Sequence, residues 1–170
     1  MPIIDITTST NSESFNAAWG NATKDTKYSK SKITIANTDW KLPTVTTDEG
    51  TRPMKVEIKG RGNSTWVLDK KPFQIKFEEP VQPFGIGSEE NKTWILLANH
   101  ADRTLMRNQL AYDWARKALS NLPFVTDTEP VELYINGEYQ GVYLLVEKSE
   151  VGSKGGRVNI QMAEKNTDKI

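Results

Sequence analysis

Two runs of β-branched and aromatic residues, VELYI and EYQGVYLLVEK, meet at Asn136-Gly137, and this junction constrains the fold more than any other feature of the chain. Asn-Gly supplies two consecutive residues that tolerate positive φ, as a two-residue hairpin turn between twisted strands requires. The sequence therefore predicts an antiparallel hairpin from Val131 to Lys148.

Further strands follow from alternation. PIIDIT (2–7) reads as a first strand, and Ile33 and Ile35 alternate with polar neighbours in a second. Val56 and Ile58 alternate with Lys55, Glu57 and Lys59, the period-two pattern of a half-buried strand, and PFQIKF (72–77) forms its partner. TWILLA (93–98) is continuously apolar and reads as a fully buried strand. One helix is expected from about Asp102 to Leu119, with Leu105, Met106, Leu110, Trp114 and Ala118 near helical spacing. Asp102 is placed to cap its first turn, and Arg116 and Lys117 suit its C-terminal dipole.

The remaining stretches read as connections. Residues 8–31 are polar, with Phe15 and Trp19 as anchors of a short helix. Trp40 to Arg52 reads as a long polar loop ending at Pro53, and EEPVQPFGIGSEENK as a Pro/Gly-marked loop. Gly152 to Gly156 makes a turn, RVNIQM (157–162) a last strand, and AEKNTDKI a tail without apolar pattern. The expected fold class is α+β, a mainly antiparallel sheet with one principal helix. Its expected divisions are an N-terminal strand and loop extension (1–52), a core (53–151) and a C-terminal strand and tail (152–170), read either as cut before a second lobe or as the end of a natural half-domain.

Composition narrows the chemistry. At 170 residues the chain suffices for one domain with a core. No window approaches the ~18 apolar residues of a membrane helix, and MPIIDITTSTNSESF lacks the basic start and apolar run of a secretory signal. Lys plus Arg equals Asp plus Glu at 22 each, which argues against bulk attraction to nucleic acid or membrane and leaves room for a local basic pocket. There is no cysteine and a single histidine, His100. Disulfides, thiolate metal sites and cysteine nucleophiles are excluded, a histidine-rich metal centre or a serine–histidine–acid triad is disfavoured, and no metal site is expected.

The segment with most chemical content is Met54 to Phe77, MKVEIKGRGNSTWVLDKKPFQIKF. Gly60 and Gly62 allow a sharp turn and a close approach of backbone to ligand. Arg61 lies between them, and Lys70 and Lys71 precede the next strand. Two strands joined by a small-residue loop with nearby cations can hold phosphate through backbone N–H groups and fixed charge. The same residues also describe a surface hairpin with solvated lysines.

Four ordered pieces, GRGNSTW, KKPFQIKF, WILLANHADRTLMRNQLAYDWAR and VELYINGEYQGVYLLVEK, together with PIIDITT, resemble the spore-coat protein H (CotH) kinase-like family. They cover roughly Pro53 to Val151. The resemblance implies the small lobe of an atypical protein kinase that binds ATP with Mg²⁺ and phosphorylates Ser or Thr on a protein substrate, notably in spore coats or extracellular surface assemblies. It places Gly60, Arg61, Gly62 and Ser64 nearest the nucleotide and Lys71 or Lys76 near the phosphates. Lys76 sits on a strand as a phosphate-binding lysine would, whereas Lys71 lies closer to the loop. The helix bearing Asp102 and Arg107 would correspond to the regulatory helix, and Glu147 to the exit near the adenine edge. The family's catalytic acids lie in a large lobe that follows. Here only residues 148–170 follow Glu147, with Glu150, Glu164 and Asp168 as carboxylates, so catalytic residues are unassigned and the chain is expected to be inactive alone.

Structural readings compete at each position. Asp102 serves as a helix cap more readily than as a catalytic acid, and Arg107 as a solvated charge or ion-pair partner. Glu147 competes between a cross-strand lysine pair and the exit role. A second function class follows: a non-catalytic binding or structural module of a surface assembly (spore coat, cell-surface complex or virion appendage), presenting sheet edges and loop aromatics to an assembly partner. Trp40 and Trp66, in loops, allow a third reading as a sugar platform. Asn21, Asn63 and Asn91 begin glycosylation tripeptides.

Overall fold

The computed structural model describes residues 1–8, 23–87, 89–119, 122 and 124–148. Its strands are β1 (Ile3–Thr7), β2 (Lys27–Ala36), β3 (Thr44–Thr47), β4 (Gly50–Pro53), β5 (Lys55–Gly60), β6 (Phe73–Val81), β7 (Asn91–Leu97), β8 (Thr128–Ile135) and β9 (Glu138–Glu147). One α-helix, α1 (Arg107–Ala118), lies among them. Seven strands close into a barrel in the order β1-β2-β5-β6-β7-β9-β8, and β3 and β4 form a separate hairpin.

Alternation builds the barrel interior. β5 buries Val56 and Ile58 and turns Lys55, Glu57 and Lys59 outward. The same parity sends Ile4 and Ile6, Phe73, Ile75 and Phe77, and Val131, Leu133 and Ile135 inward, where they join Trp94, Leu96, Tyr143 and Leu145 in one core. β7 and β9 are apolar on both faces for a second reason. Their outward residues Ile95, Leu144 and Val146 form a small cluster with Leu97 and Tyr112, the residue through which α1 touches the barrel wall.

The hairpin at Asn136-Gly137 forms with both residues at positive φ, 52° and 77°. Asn136 does a second job. Its carboxamide oxygen accepts the Thr8 N–H at 2.8 Å, and its own N–H donates to the Ile6 carbonyl at 2.9 Å. These bonds extend the seam at which β1 runs parallel to β8, from Ile3 opposite Glu132 to Ile6 opposite Ile135. Every other ladder of the barrel is antiparallel.

That seam overturns the expected fold class. The α+β arrangement of an open, mainly antiparallel sheet with one principal helix, like the small lobe of an atypical protein kinase, is not what forms: the described residues are mostly β, a closed seven-stranded barrel with one short α-helix among them. One-sided burial is the same in an open sheet and in a barrel, so alternation alone does not distinguish them. Closure is decided by the pairing of β1 with β8, more than a hundred residues apart in sequence. β1 and β2, from the segment read as an extension, are staves of this barrel.

The helix also departs from expectation. It begins at Arg107, and none of its residues is buried. Met106, Leu110 and Trp114, expected on its packed side, are 51%, 58% and 64% exposed. Tyr112 is the helix residue packed against the cluster of Ile95, Leu144 and Val146, and the longer apolar stripe lies outside. Between Trp40 and Pro53, read as loop, the threonine-rich strand β3 pairs with β4 from Thr44 opposite Pro53 to Thr47 opposite Gly50. The expectations for Phe15, Trp19, the turn at Gly152–Gly156, the strand RVNIQM, the tail and the carboxylates Glu150, Glu164 and Asp168 lie outside the described residues.

Candidate functional site

At one end of the barrel the loop leaving β5 (residues 61–72) faces the turn leaving β7 (residues 98–106), and between them lies a cleft of about 380 Å³. Arg61, Thr65, Leu68, Lys70 and Pro72 line one side. Leu97, Ala98, Asn99, His100, Asp102, Arg107 and Asn108 are on the other.

The β5–β6 loop owes its shape to contacts within the protein. Gly60 pairs with Phe73 in the last rung of the ladder, and the Arg61 N–H donates to the Pro72 carbonyl at 3.1 Å. A Cβ on Gly60 would enter the indole ring of Trp66, so the missing side chain makes room for this tryptophan. Gly62 adopts φ +90°, and a Cβ there would strike the Thr65 hydroxyl. Ser64 opens a 3-10 turn, Ser64–Val67, and is exposed. Beneath the turn, the Lys71 ammonium donates to the carbonyls of Trp66 and Leu68 at 2.8 and 2.7 Å. Tyr143 completes the support, its hydroxyl donating to the Lys71 carbonyl at 2.9 Å, and burial pushes its phenol pKa up.

Lys70, next in sequence, faces the cleft. Its ammonium lies 4.5 Å from the centroid of the Tyr143 ring and donates to the Val142 carbonyl. Burial lowers its pKa from the usual lysine value, because this half-buried charge has lost part of its hydration. No carboxylate of the described residues lies within ion-pair distance of it.

Across the cleft the turn is self-bonded. Asn99 donates to the Leu105 carbonyl at 3.2 Å and accepts from Asn108 at 2.7 Å. The Asp102 carboxylate accepts the N–H groups of Thr104 and Arg107 at 3.0 and 2.9 Å and the Thr104 hydroxyl at 2.8 Å. Chiefly the Arg107 N–H, with help from Thr104, holds its pKa below the usual carboxylate value. Arg107 lies 3.5 Å from the same carboxylate with its side chain 79% exposed.

The sequence-predicted residues are thus distributed over four places. Arg61 and Arg107 line the cleft. Gly60, Gly62, Ser64 and Lys71 build or cap the loop beside it. Lys76 is exposed on the outer wall of the barrel, opposite Glu57. Glu147 lies toward the other end of β7, opposite Trp94, where it is 3% exposed, donates its N–H to the Thr126 hydroxyl at 3.1 Å and packs against Gly87. Asn108 and His100 enter the cleft without having been singled out as ligand contacts, and so does Lys70, which the sequence offered only as a cation near the loop.

The loop tryptophans turn inward. Trp66 packs edge-on against Phe73 at 6.5 Å, and Trp40 against Phe84 at 5.4 Å. The closed barrel offers no free strand edge among its described strands. No helix among the described residues is long and apolar enough to cross a membrane.

Chemically the cleft suits an anion with an apolar body. Two guanidinium groups and a desolvated ammonium surround a floor of Leu68, Pro72, Leu97 and Ala98. The donor set does not suit Mg²⁺: Asp102 is the one carboxylate of the lining, it already accepts three hydrogen bonds, and among the described residues no three His, Cys, Asp or Glu side chains gather as metal ligands.

A family model described as CotH kinase protein matches residues 58–166, which include the loop, the cleft and the hairpin. No curated protein matches the chain.

Proposed function

Because the chain belongs to the CotH kinase protein family, we propose that the cleft between the β5–β6 loop and the β7–α1 turn binds the phosphates of a nucleotide such as ATP. The observation that carries this reading is the convergence of Arg61, Lys70 and Arg107, from two separate segments, on one cleft. Guanidinium groups recognise phosphate oxygens in bidentate fashion, and a partly desolvated ammonium gains most from an anion that replaces lost hydration. The apolar floor offers a surface for the base.

The proposal covers binding, with no metal held by the described residues and no transfer step assigned to them. Asp102, ionised and saturated with donors, is a poor acceptor for a substrate hydroxyl proton. Phosphorylation of a protein substrate would therefore need acids beyond those of the cleft.

Calorimetric titration of the full chain with ATP, without added Mg²⁺, tests the reading. Binding weakened at least tenfold in Arg61→Ala and Lys70→Ala, and unchanged in Lys76→Ala, is the expected result. Absent binding, or equal affinity in all four proteins, overturns it.

A further inference from the structure

The outer wall formed by β2, β5 and β6, away from the cleft, carries a concentration of one residue type in a chain of zero formal charge. Lys27, Lys30 and Lys32 from β2, Lys55 and Lys59 from β5, and Lys76 from β6 belong to it, with Lys92 at its border. The register sets two pairs of lysines directly opposite one another, Lys27 with Lys59 and Lys32 with Lys55. Like charges facing across a ladder destabilise it.

The acids of this wall do not balance the lysines. Glu57 accepts the Ser29 hydroxyl at 2.9 Å and stands 4.0 Å from Lys27. Glu78 is taken by Arg52 at 2.8 Å, and Glu79 by Lys92 at 3.2 Å. Among the described residues, no carboxylate lies within ion-pair distance of Lys30, Lys32, Lys55, Lys59 or Lys76. A shallow depression of about 310 Å³ runs among Lys30, Lys55, Lys76 and Lys92.

We propose that this wall is a docking surface for an extended acidic polypeptide segment of a partner protein. Lys30 and Lys32 lie two residues apart on β2, Lys55 and Lys59 flank Glu57 on β5, Lys76 stands on β6, and neighbouring strands lie about 4.8 Å apart. An extended acidic segment lying on this wall can set its carboxylates against ammonium groups that reach it from three neighbouring strands. Its charge relieves the facing lysine pairs. Two features favour a peptide over nucleic acid. Glu57 occupies the middle of the wall, where it would repel a continuous phosphate chain. No arginine of the wall is free to fork onto phosphate, since Arg52 is bound to Glu78, and no aromatic side chain of the β2, β5 and β6 outer face is fully exposed for base stacking.

The test uses the full chain and fluorescently labelled poly-L-glutamate of about twenty residues, with a single-stranded oligonucleotide of equal charge in parallel. Poly-glutamate is expected to bind at low salt and to release as salt is raised. The combined variant Lys30→Ala, Lys32→Ala, Lys76→Ala is expected to weaken it at least tenfold. The combined variant Lys41→Ala, Arg103→Ala, Lys117→Ala, which removes the same charge elsewhere, is expected to change it less than threefold. Saturating ATP is expected not to compete, so failure of nucleotide binding and failure of this docking surface are separate results. Absent binding, equal weakening by the two triple variants, competition by ATP, or an oligonucleotide that binds as tightly as the peptide each overturns the proposal.

Discussion

The ammonium of Lys71 donates to the carbonyl of Trp66 at 2.8 Å and lies 5.5 Å from the centroid of its indole ring. Together with the bond to Leu68, this ties the 3-10 turn of the β5–β6 loop to the loop's own last residues and assigns Lys71 to the architecture of the cleft. Lys71→Ala leaves two partly buried carbonyls without their charged donor. It is expected to cost about 2 kcal/mol of unfolding free energy, read from urea denaturation. An unchanged denaturation midpoint with lost ATP binding would assign Lys71 to the ligand instead.

Gly60 and Trp66 form a complementary pair, a missing side chain and the ring that fills its place. Gly60→Ala is expected to destabilise the protein by about 1–3 kcal/mol through overpacking. The double variant Gly60→Ala, Trp66→Leu should recover part of that loss. Additive effects in a double-mutant cycle would show that the ring is not the obstacle.

The bidentate Arg52–Glu78 pair sets an acid limb. Hydrogen bonds from Arg52, together with the Lys55 N–H, lower the Glu78 pKa from 4.5 to about 2. A carboxyl whose folded pKa is depressed stabilises the fold above its unfolded value and loses that contribution as pH falls through the folded one. Stability should therefore decline between 4.5 and about 2 more steeply in the wild type than in Glu78→Gln. Parallel acid limbs in urea midpoints would exclude this pair as the cause.

Lys70 gives the opposite sign. Burial depresses its pKa below 10.5, so the unfolded chain binds the proton more tightly than the fold does. Stability from this group rises as pH climbs through the interval between the folded value and 10.5. NMR titration of the lysine side chains should find Lys70 among the earliest to deprotonate, and ATP should move its midpoint upward. A midpoint that ignores ATP would separate Lys70 from the ligand.

The strands were legible because alternation is local: Val56 and Ile58, Phe73, Ile75 and Phe77, and the Asn136-Gly137 turn each announce themselves within a few residues. The helix was legible as a helix and misleading as a packing element. Met106, Leu110 and Trp114 have the spacing of a buried face, yet the patch that α1 covers admits little beyond Tyr112. Closure into a barrel left no local mark, since it depends on Ile3 meeting Glu132. At the cleft, Arg61 was readable from its place between two glycines. Lys70 and Lys71 were adjacent cations of one type, and only the depth of the Trp66 turn decides which enters the loop and which faces the ligand. Lys76 follows from parity alone, because Ile75 and Phe77 point inward.

The parallel seam between β1 and β8 has a consequence for how the molecule is made. A ribosome that has delivered β1 must synthesise well over a hundred further residues before the strand that completes its pairing emerges. Until then one side of β1 offers unpaired amides and carbonyls to any neighbouring chain, as an exposed strand rim does. Contacts so distant in sequence also slow the final closing step relative to formation of the local hairpins. Misassembly during synthesis should therefore concentrate at this first strand, and factors that shield it should raise the yield of native protein.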